Sequence, residues 1–361
     1  MEFTEKKFKN FQVNSFHEEI ELKDNNGGIS SLGLVALFIL FIGSLGMGAS
    51  NIKDARKHAE ETLLPLEGIA GIAHSDDPPK IIVYIEHEKY REKVPDKIKG
   101  FKTEVIVIGK IRSLGSAVAL QQEAGAFYTY ENVSRTGIVR PIVGGISIGV
   151  PESAFGGKMA GTLGLIVNGS DGRPYILTNA HVIAMNSKAR FLPLGTAVLQ
   201  PGTYDGGTSS DKVGALYKYI KITFGPRGKN YADAAIATID EGIGYLVGEV
   251  LDSDNKNTTS ISGNTTVSEG DIVYKSGRTT GVTNNTVSST SATVKVWYTN
   301  SKYAIFYDQI LVDQPFLDAG DSGSAVYNEN GEFVGLAFAG SSSVAVVCKA
   351  TYIISGLGVS I

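Results

Sequence analysis

Three short stretches of this 361-residue chain hold residue types that together could transfer an acyl group. The first is Leu317-Asp318-Ala319-Gly320-Asp321-Ser322-Gly323-Ser324-Ala325. A serine flanked by glycines on a tight turn exposes its hydroxyl and lets backbone N–H groups converge on one point. That supplies a nucleophile and donors for a developing oxyanion. The same residues also make a plain β-turn, so this stretch alone does not decide. The second is Thr178-Asn179-Ala180-His181-Val182, where the strand-like run PYILTNA meets a histidine. A neutral imidazole is the natural base for a serine hydroxyl near pH 7. A lone histidine at a strand end is more often a core residue. Here, however, His181 is the only histidine between Gly137 and Ile361. The third is Tyr231-Ala232-Asp233-Ala234-Ala235-Ile236-Ala237, a carboxylate followed at once by a small, apolar, strand-like run. That places the acid at the edge of a buried strand, where it can orient a histidine. Asp205, Asp211 and Asp240 are rivals, and the apolar strand directly after Asp233 favours it.

The elements around these residues read as short strands and glycine-rich turns. From Gly137 onward they include GGISIG (144–149), TLGLIV (162–167), YILTNA (175–180), AAIATI (234–239), DIVYKSG (271–277), TVKVWY (293–298), IFYDQILVD (305–313), SAVYN (324–328) and FVGLAFAG (333–340). Strands at this spacing without long helices predict a mainly β protein, an antiparallel barrel or sandwich, and the length of residues 137–361 fits two packed antiparallel barrels. The order His181, Asp233, Ser322 lets the first barrel supply base and acid and the second supply the nucleophile. It is the chain order of the chymotrypsin group.

TNAHV, YADAAIA and GDSGSAV together resemble the trypsin-like serine peptidases. VRPIVGGISIG (139–149), AGTLG with YILTNAHVIA (160–184) and the KSGRTTGVT hairpin (275–283) are similar to a microbial branch with a small N-terminal α/β domain. The resemblance spans about residues 64–361. It implies a serine endopeptidase that works through an acyl-enzyme, with Ser322 as nucleophile, His181 as general base and acid, and Asp233 orienting His181. It also implies an oxyanion hole from the N–H groups of Gly320 and Ser322. Phe338-Ala339-Gly340 would be the edge strand that pairs with substrate backbone, and Phe316 would lie near the floor of the primary specificity pocket. No carboxylate sits there, so a preference for Lys or Arg is not expected. Val182 replaces a cysteine of the digestive members, and Ser324 replaces the second glycine of GDSGG. No activation site for insertion of a new N-terminus is evident, which leaves the role of Asp321 open. Arg278 either holds the hairpin or a substrate loop, and the structural role is favoured. The alternative function is a catalytically weak or inactive trypsin-like fold serving as a membrane-associated binding or scaffold protein.

Composition excludes other classes. A net charge of −4 and no basic cluster leave nothing to track a phosphate backbone, so no nucleic acid is expected. Cys348 is the only cysteine, so no intramolecular disulfide forms. The histidines have no metal-ligand spacing, and neither metal nor cofactor is expected. The expected partner is a protein or peptide substrate.

Ahead of the peptidase text, residues 1–28 read as a polar leader. Residues 29–50 are uncharged and apolar enough for a transmembrane or signal-anchor helix, so a single-pass membrane association is expected. Asn-x-Ser/Thr sequons favour an extracytoplasmic peptidase. The Lys and Arg near residues 53–57 favour a cytoplasmic one, and the small residues 46–50 would permit cleavage and secretion. Residues 52–111 read as a small α/β domain, with a helix at 52–64, strands at 68–73, 80–86 and 103–111, and a helix at 87–94. Residues 112–136 read as a linker with one or two helical turns. The small domain either lies over the cleft as a built-in inhibitor or packs far from it.

Overall fold

Strand Pro174–Thr178 pairs on one side with Leu165–Gly169 and on the other with Ala235–Ala237, with Thr178 opposite Ala235. His181 and Asp233 therefore leave neighbouring strands at the same end. The sheet continues through Lys212–Tyr219 to Ala197–Leu199, giving five strands, to which the end of the chain adds a sixth. Its inward residues are Val, Ile, Leu and Ala, and Leu165, Ile166, Val167, Ile176 and Leu177 are wholly buried. This is the branched apolar content that packs best on a pleated surface.

The second half closes differently. Tyr303–Asp313 pairs with Val344–Lys349, which pairs with Phe333–Gly340, then Ala325–Tyr327, Ile272–Gly277 and Gly281–Trp297. Gly281–Trp297 pairs back with Tyr303–Asp313, so the strands form a ring. A helix, Ala350–Leu357, then returns the chain to the first sheet, where Val359–Ser360 adds an edge strand beside Leu165–Gly169. The fold is mainly β, two packed barrels, as the strand spacing predicts.

The computed structural model describes residues 51–114 and 133–361. The polar leader 1–28, the apolar segment 29–50 and residues 115–132 of the expected linker lie outside the described residues. Among the described residues no helix is long and apolar enough to cross a membrane.

The front segment is attached to the larger part of the chain through a shared sheet. Helix α1 (Ile52–Thr62) is followed by β1 (Ile69–Asp76), β2 (Pro79–Ile85), β3 (Lys97–Ile98) and β4 (Phe101–Val107). β1, β2, β4 and β3 pair with one another in that order but are not a separate sheet. β1 pairs with Gly281–Trp297, placing Gly71 opposite Val294, and extends the ring's sheet to twelve strands. A few strands alone cannot bury enough apolar surface, so they borrow an edge. An irregularity between Ile69 and Gly71 lets β1 serve two cores. Ile69 and Ile72 join α1 and Ile305, while Ala70 and Ala73 join the main core. The expected helix at 87–94 is a 3-10 helix, Glu88–Lys93, capped by His87 Nδ1 accepting from the Lys89 N–H. Pro95 keeps it short, because the residue before a proline is pushed out of the helical region.

Two residues expected to open the linker are instead a strand. β5 (Arg112–Ser113) lies between Phe333–Gly340 and Gly281–Trp297 and pairs with both. No helical turn forms at these positions, because their backbone groups are taken up by the two neighbouring strands.

Arg56 fastens α1 to the barrel. Its guanidinium donates to Ser291 Oγ at 2.9 Å and to Thr293 Oγ1 at 3.2 Å, and also to the Ser291 carbonyl. Glu60 completes the cluster, accepting from Arg56 Nε and Thr293 Oγ1. Losing a partly buried, multiply bonded guanidinium strands its acceptors, a cost of about 1–3 kcal/mol. We therefore expect Arg56→Ala to lower the denaturation free energy by about that amount. Hydrogen exchange should rise first in α1 and β1, and protection unchanged there would contradict this anchoring.

Candidate active site

His181 sits in a single helical turn, Ala180–Ile183, that caps strand Pro174–Thr178. Its Nδ1 lies 2.7 Å from Asp233 Oδ2, and its own N–H donates to Asp233 Oδ1 at 3.1 Å. Asn179 Nδ2 donates to the Asp233 carbonyl at 2.6 Å. Asp233 is fully buried and His181 only 5% exposed. An ionised carboxylate only accepts, so the Nδ1 facing it carries the proton of a neutral ring. Nε2 is then the free lone pair, and it has no hydrogen-bond partner.

One partner of this pair was not foreseen. Tyr298 Oη donates to Asp233 Oδ2 at 2.6 Å, and its ring meets the His181 ring edge-on. Burial, then the Asp233 charge beside it, holds the Tyr298 phenol protonated well above its ordinary range. Tyr298 ends the TVKVWY strand, and no local pattern tells a tyrosine that meets a carboxylate from one that fills a core.

The rival acids are occupied elsewhere. Asp205 accepts from Arg278 Nε at 2.7 Å and from Ser147 Oγ at 2.6 Å. Asp211 closes a capping box with Thr208, and Asp240 pairs with Lys212. Arg278 accordingly ties the hairpin after Ile272–Gly277 to the first half of the chain.

Ser322 lies in the turn after Leu317, where Gly320 has φ +95° and Gly323 φ +96°. Both angles lie in the left-handed region that favours glycine. A Cβ on Gly323 would also strike the Thr162 carbonyl at 2.2 Å. Asp321 organises this turn from within. Its buried carboxylate accepts from the N–H groups of Thr279 (2.8 Å), Thr280 (3.1 Å) and Asp318 (3.0 Å), and from Thr280 Oγ1 (2.6 Å). Lys275 Nζ stands 3.6 Å away. Burial pulls the Lys275 ammonium down to about 8, against the opposing pull of Asp321. The role left open for Asp321 is thus a brace between the serine turn and the hairpin, with its counter-charge inside the chain.

The Ser322 carbonyl accepts from the Thr162 N–H at 2.8 Å, which fastens the serine turn to the first barrel. The Ser322 hydroxyl donates to the Phe338 carbonyl at 3.3 Å and makes no hydrogen bond to His181. The site thus joins His181 to Asp233 directly and holds Ser322 by its backbone. The Gly320 N–H donates to the Leu114 carbonyl at 3.3 Å. Phe316 and Phe338 are buried to 1% and 0% exposure, so Phe338 can offer a ligand only its backbone. Ala339 and Gly340 pair with Ser113 and Arg112. Among the described residues no cluster of His, Cys, Asp and Glu could hold a metal ion.

The candidate site thus sets a His–Asp pair on one barrel and a braced serine turn on the other. The trypsin-like peptidase domain matches residues 162–336, and the chain carries this domain and is a serine-type endopeptidase. No curated protein matches it. Solved structures with a similar fold include the Nocardiopsis protease NAPase (15% identical, 61% of this chain and 99% of that one, TM-score 0.43). A glutamic acid-specific serine protease is 22% identical over 61% of this chain and 100% of its own, with TM-score 0.45. Protease A of Thermobifida fusca is 16% identical over 61% and 97%, with TM-score 0.42.

Replacing Tyr298 by Phe removes one of the donors to a carboxylate that has no access to water. A hydrogen bond to a charged group contributes about 1.5–3 kcal/mol. We expect Tyr298→Phe to lose about that much stability in chemical denaturation, with the fold intact by circular dichroism. An unchanged midpoint would mean that Tyr298 does not support Asp233.

Proposed function

We propose that the chain hydrolyses peptide bonds through His181, Asp233 and Ser322, by way of an acyl-enzyme on Ser322. The observation that carries this reading is the buried His181–Asp233 pair, with Nδ1 turned to the carboxylate and Nε2 left without a partner. In this orientation His181 Nε2 takes the Ser322 proton as Oγ attacks the carbonyl carbon of the substrate. The N–H groups of Gly320 and Ser322 receive the negative charge that develops on the carbonyl oxygen. His181 then gives its proton to the departing amine as the C–N bond breaks. Water, deprotonated by the same nitrogen, releases the acyl group. Asp233 stabilises the imidazolium formed on the way and keeps the proton on Nδ1, while Asn179 and Tyr298 hold Asp233. Ala339 and Gly340 offer backbone groups to an extended substrate, and Phe316 belongs to the apolar cluster beside the serine turn.

A second reading is a fold with little turnover. What favours it is the Ser322 hydroxyl, which bonds to the Phe338 carbonyl and not to His181. Resting peptidases often carry such loose contacts that tighten only with substrate bound, so the active reading is preferred. The apolar run 29–50 in the sequence supports a membrane-tethered peptidase under either reading.

Fluorophosphonate labelling separates the two. The active reading expects one label per chain, on Ser322 by peptide mapping. It expects none in Ser322→Ala, and a rate lowered by about 10²–10⁴-fold in His181→Ala. A folded wild-type protein that the probe does not touch would support the second reading, and labelling that survives Ser322→Ala would refute the first.

A further inference from the structure

The cleft beside Ser322 is already occupied by the protein's own chain. β5 pairs antiparallel with Phe333–Gly340, placing Ser113 opposite Ala339 and Arg112 opposite Gly340. One residue further on, the Leu114 carbonyl accepts from the Gly320 N–H. That is the group expected to bind the oxygen of a bond under attack. Leu114 packs its side chain on the apolar cluster that contains Phe316 and Leu317. Ser113, just before it, lines one small cavity together with His181 and Tyr298. The other side of the segment is held as well. The Ile111 carbonyl accepts from the Trp297 N–H at 3.1 Å, and Lys110 Nζ lies 3.7 Å from the centre of the Trp297 ring. Backbone pairing, carbonyl position and side-chain placement give one and the same register.

We infer that Ile111–Leu114 is a built-in substrate segment and that the peptidase cuts its own chain on the carboxyl side of Leu114. This rests on the function proposed above. In that register Leu114 is the residue whose carbonyl is attacked, Ser113 the one that faces His181, and Arg112 the one paired with Gly340. The cut forms an ester between the Leu114 carbonyl carbon and Ser322 Oγ. It breaks the following C–N bond and sends the proton from His181 to the new amine, and water then frees Leu114 as a carboxylate. Front-segment contacts remain through β1 and Arg56 after the bond is broken, so the cut front segment stays docked and its new C-terminus holds the cleft. The same register assigns the primary pocket to a branched apolar side chain of leucine size, with a small residue preferred next to it. The uncut and freshly cut chains therefore react slowly, but still react, with added substrate and probe, and full activity requires that Ile111–Leu114 leave the cleft.

The test is intact-mass analysis of the full chain, beside Ser322→Ala, Leu114→Met and Leu114→Asp. The inference expects wild type and Leu114→Met to yield a fragment ending at residue 114, and Ser322→Ala and Leu114→Asp to stay uncut there. Leu114→Asp should also react faster with a fluorophosphonate than wild type, whose native segment holds the cleft. For added peptides, cleavage after Leu should exceed cleavage after Asp or Lys by at least about tenfold, a difference the burial of one apolar side chain supplies. Wild type that stays intact, or is cut only elsewhere, overturns the inference. If Leu114→Asp is nonetheless labelled at Ser322, the peptidase reading survives and only self-cleavage fails. If it is folded and unlabelled, both fall.

Discussion

A carboxylate with no access to water must be surrounded by donors, and the architecture around Asp233 follows from that need. Removing one partner of a buried charge is far costlier than removing one at the surface. Asp233 is met by His181 through ring and backbone, by Tyr298 from the second barrel, and at its carbonyl by Asn179. These donors come from both halves of the chain, so the two barrels dock in an orientation that satisfies them together. The imidazole has little freedom left once its Nδ1 and its backbone N–H are both engaged by one carboxylate. Its other nitrogen has no hydrogen-bond partner.

The serine turn depends on a second buried carboxylate. Asp321 points away from the site, and the hairpin N–H groups and Lys275 fix it. This leaves the backbone of Gly320, Asp321 and Ser322 in a conformation set by the hairpin instead of by anything bound. In the mechanism proposed, that rigidity is what keeps two N–H groups aimed at one oxygen. Arg278 and Asp205 join the same hairpin to the first half, so the hairpin that Asp321 braces is tied to the other barrel through that ion pair. The front strands add a third tie at the opposite edge of Gly281–Trp297, and β5 brings that segment to the cleft itself.

Much of this was legible in the residues, and the limits of that reading have physical causes. His181 was accessible because an imidazole was scarce, since the peptidase region contains a single histidine. Asp233 was preferred to Asp205 because an apolar strand follows it directly, and the structure pairs Asp205 with Arg278 instead. The serine turn was legible because positive φ at two positions demands glycine around a polar residue. Tyr298 was not, because its role is fixed by where a strand end lands after two barrels pack. Lys275 reads as one more strand lysine until its counter-charge is located 3.6 Å away in another loop. The edge on which the front segment docks was not legible, because strand periodicity reports the strand and not its pairing partner. Arg112–Leu114 carried no periodic signal at all, since three residues lying in a cleft take their conformation from the walls.

The central claim we propose is electronic as much as geometric: the neutral His181 ring holds its proton on Nδ1, against Asp233, and presents Nε2 as the base. Two-bond ¹H–¹⁵N spectra of protein labelled in its histidine rings, assigned with His181→Gln, read that directly. The account predicts a neutral His181 ring with a protonated Nδ1 and an unprotonated Nε2, and loss of that tautomer in Asp233→Asn. A wild-type ring that carries its neutral-state proton on Nε2 would contradict it.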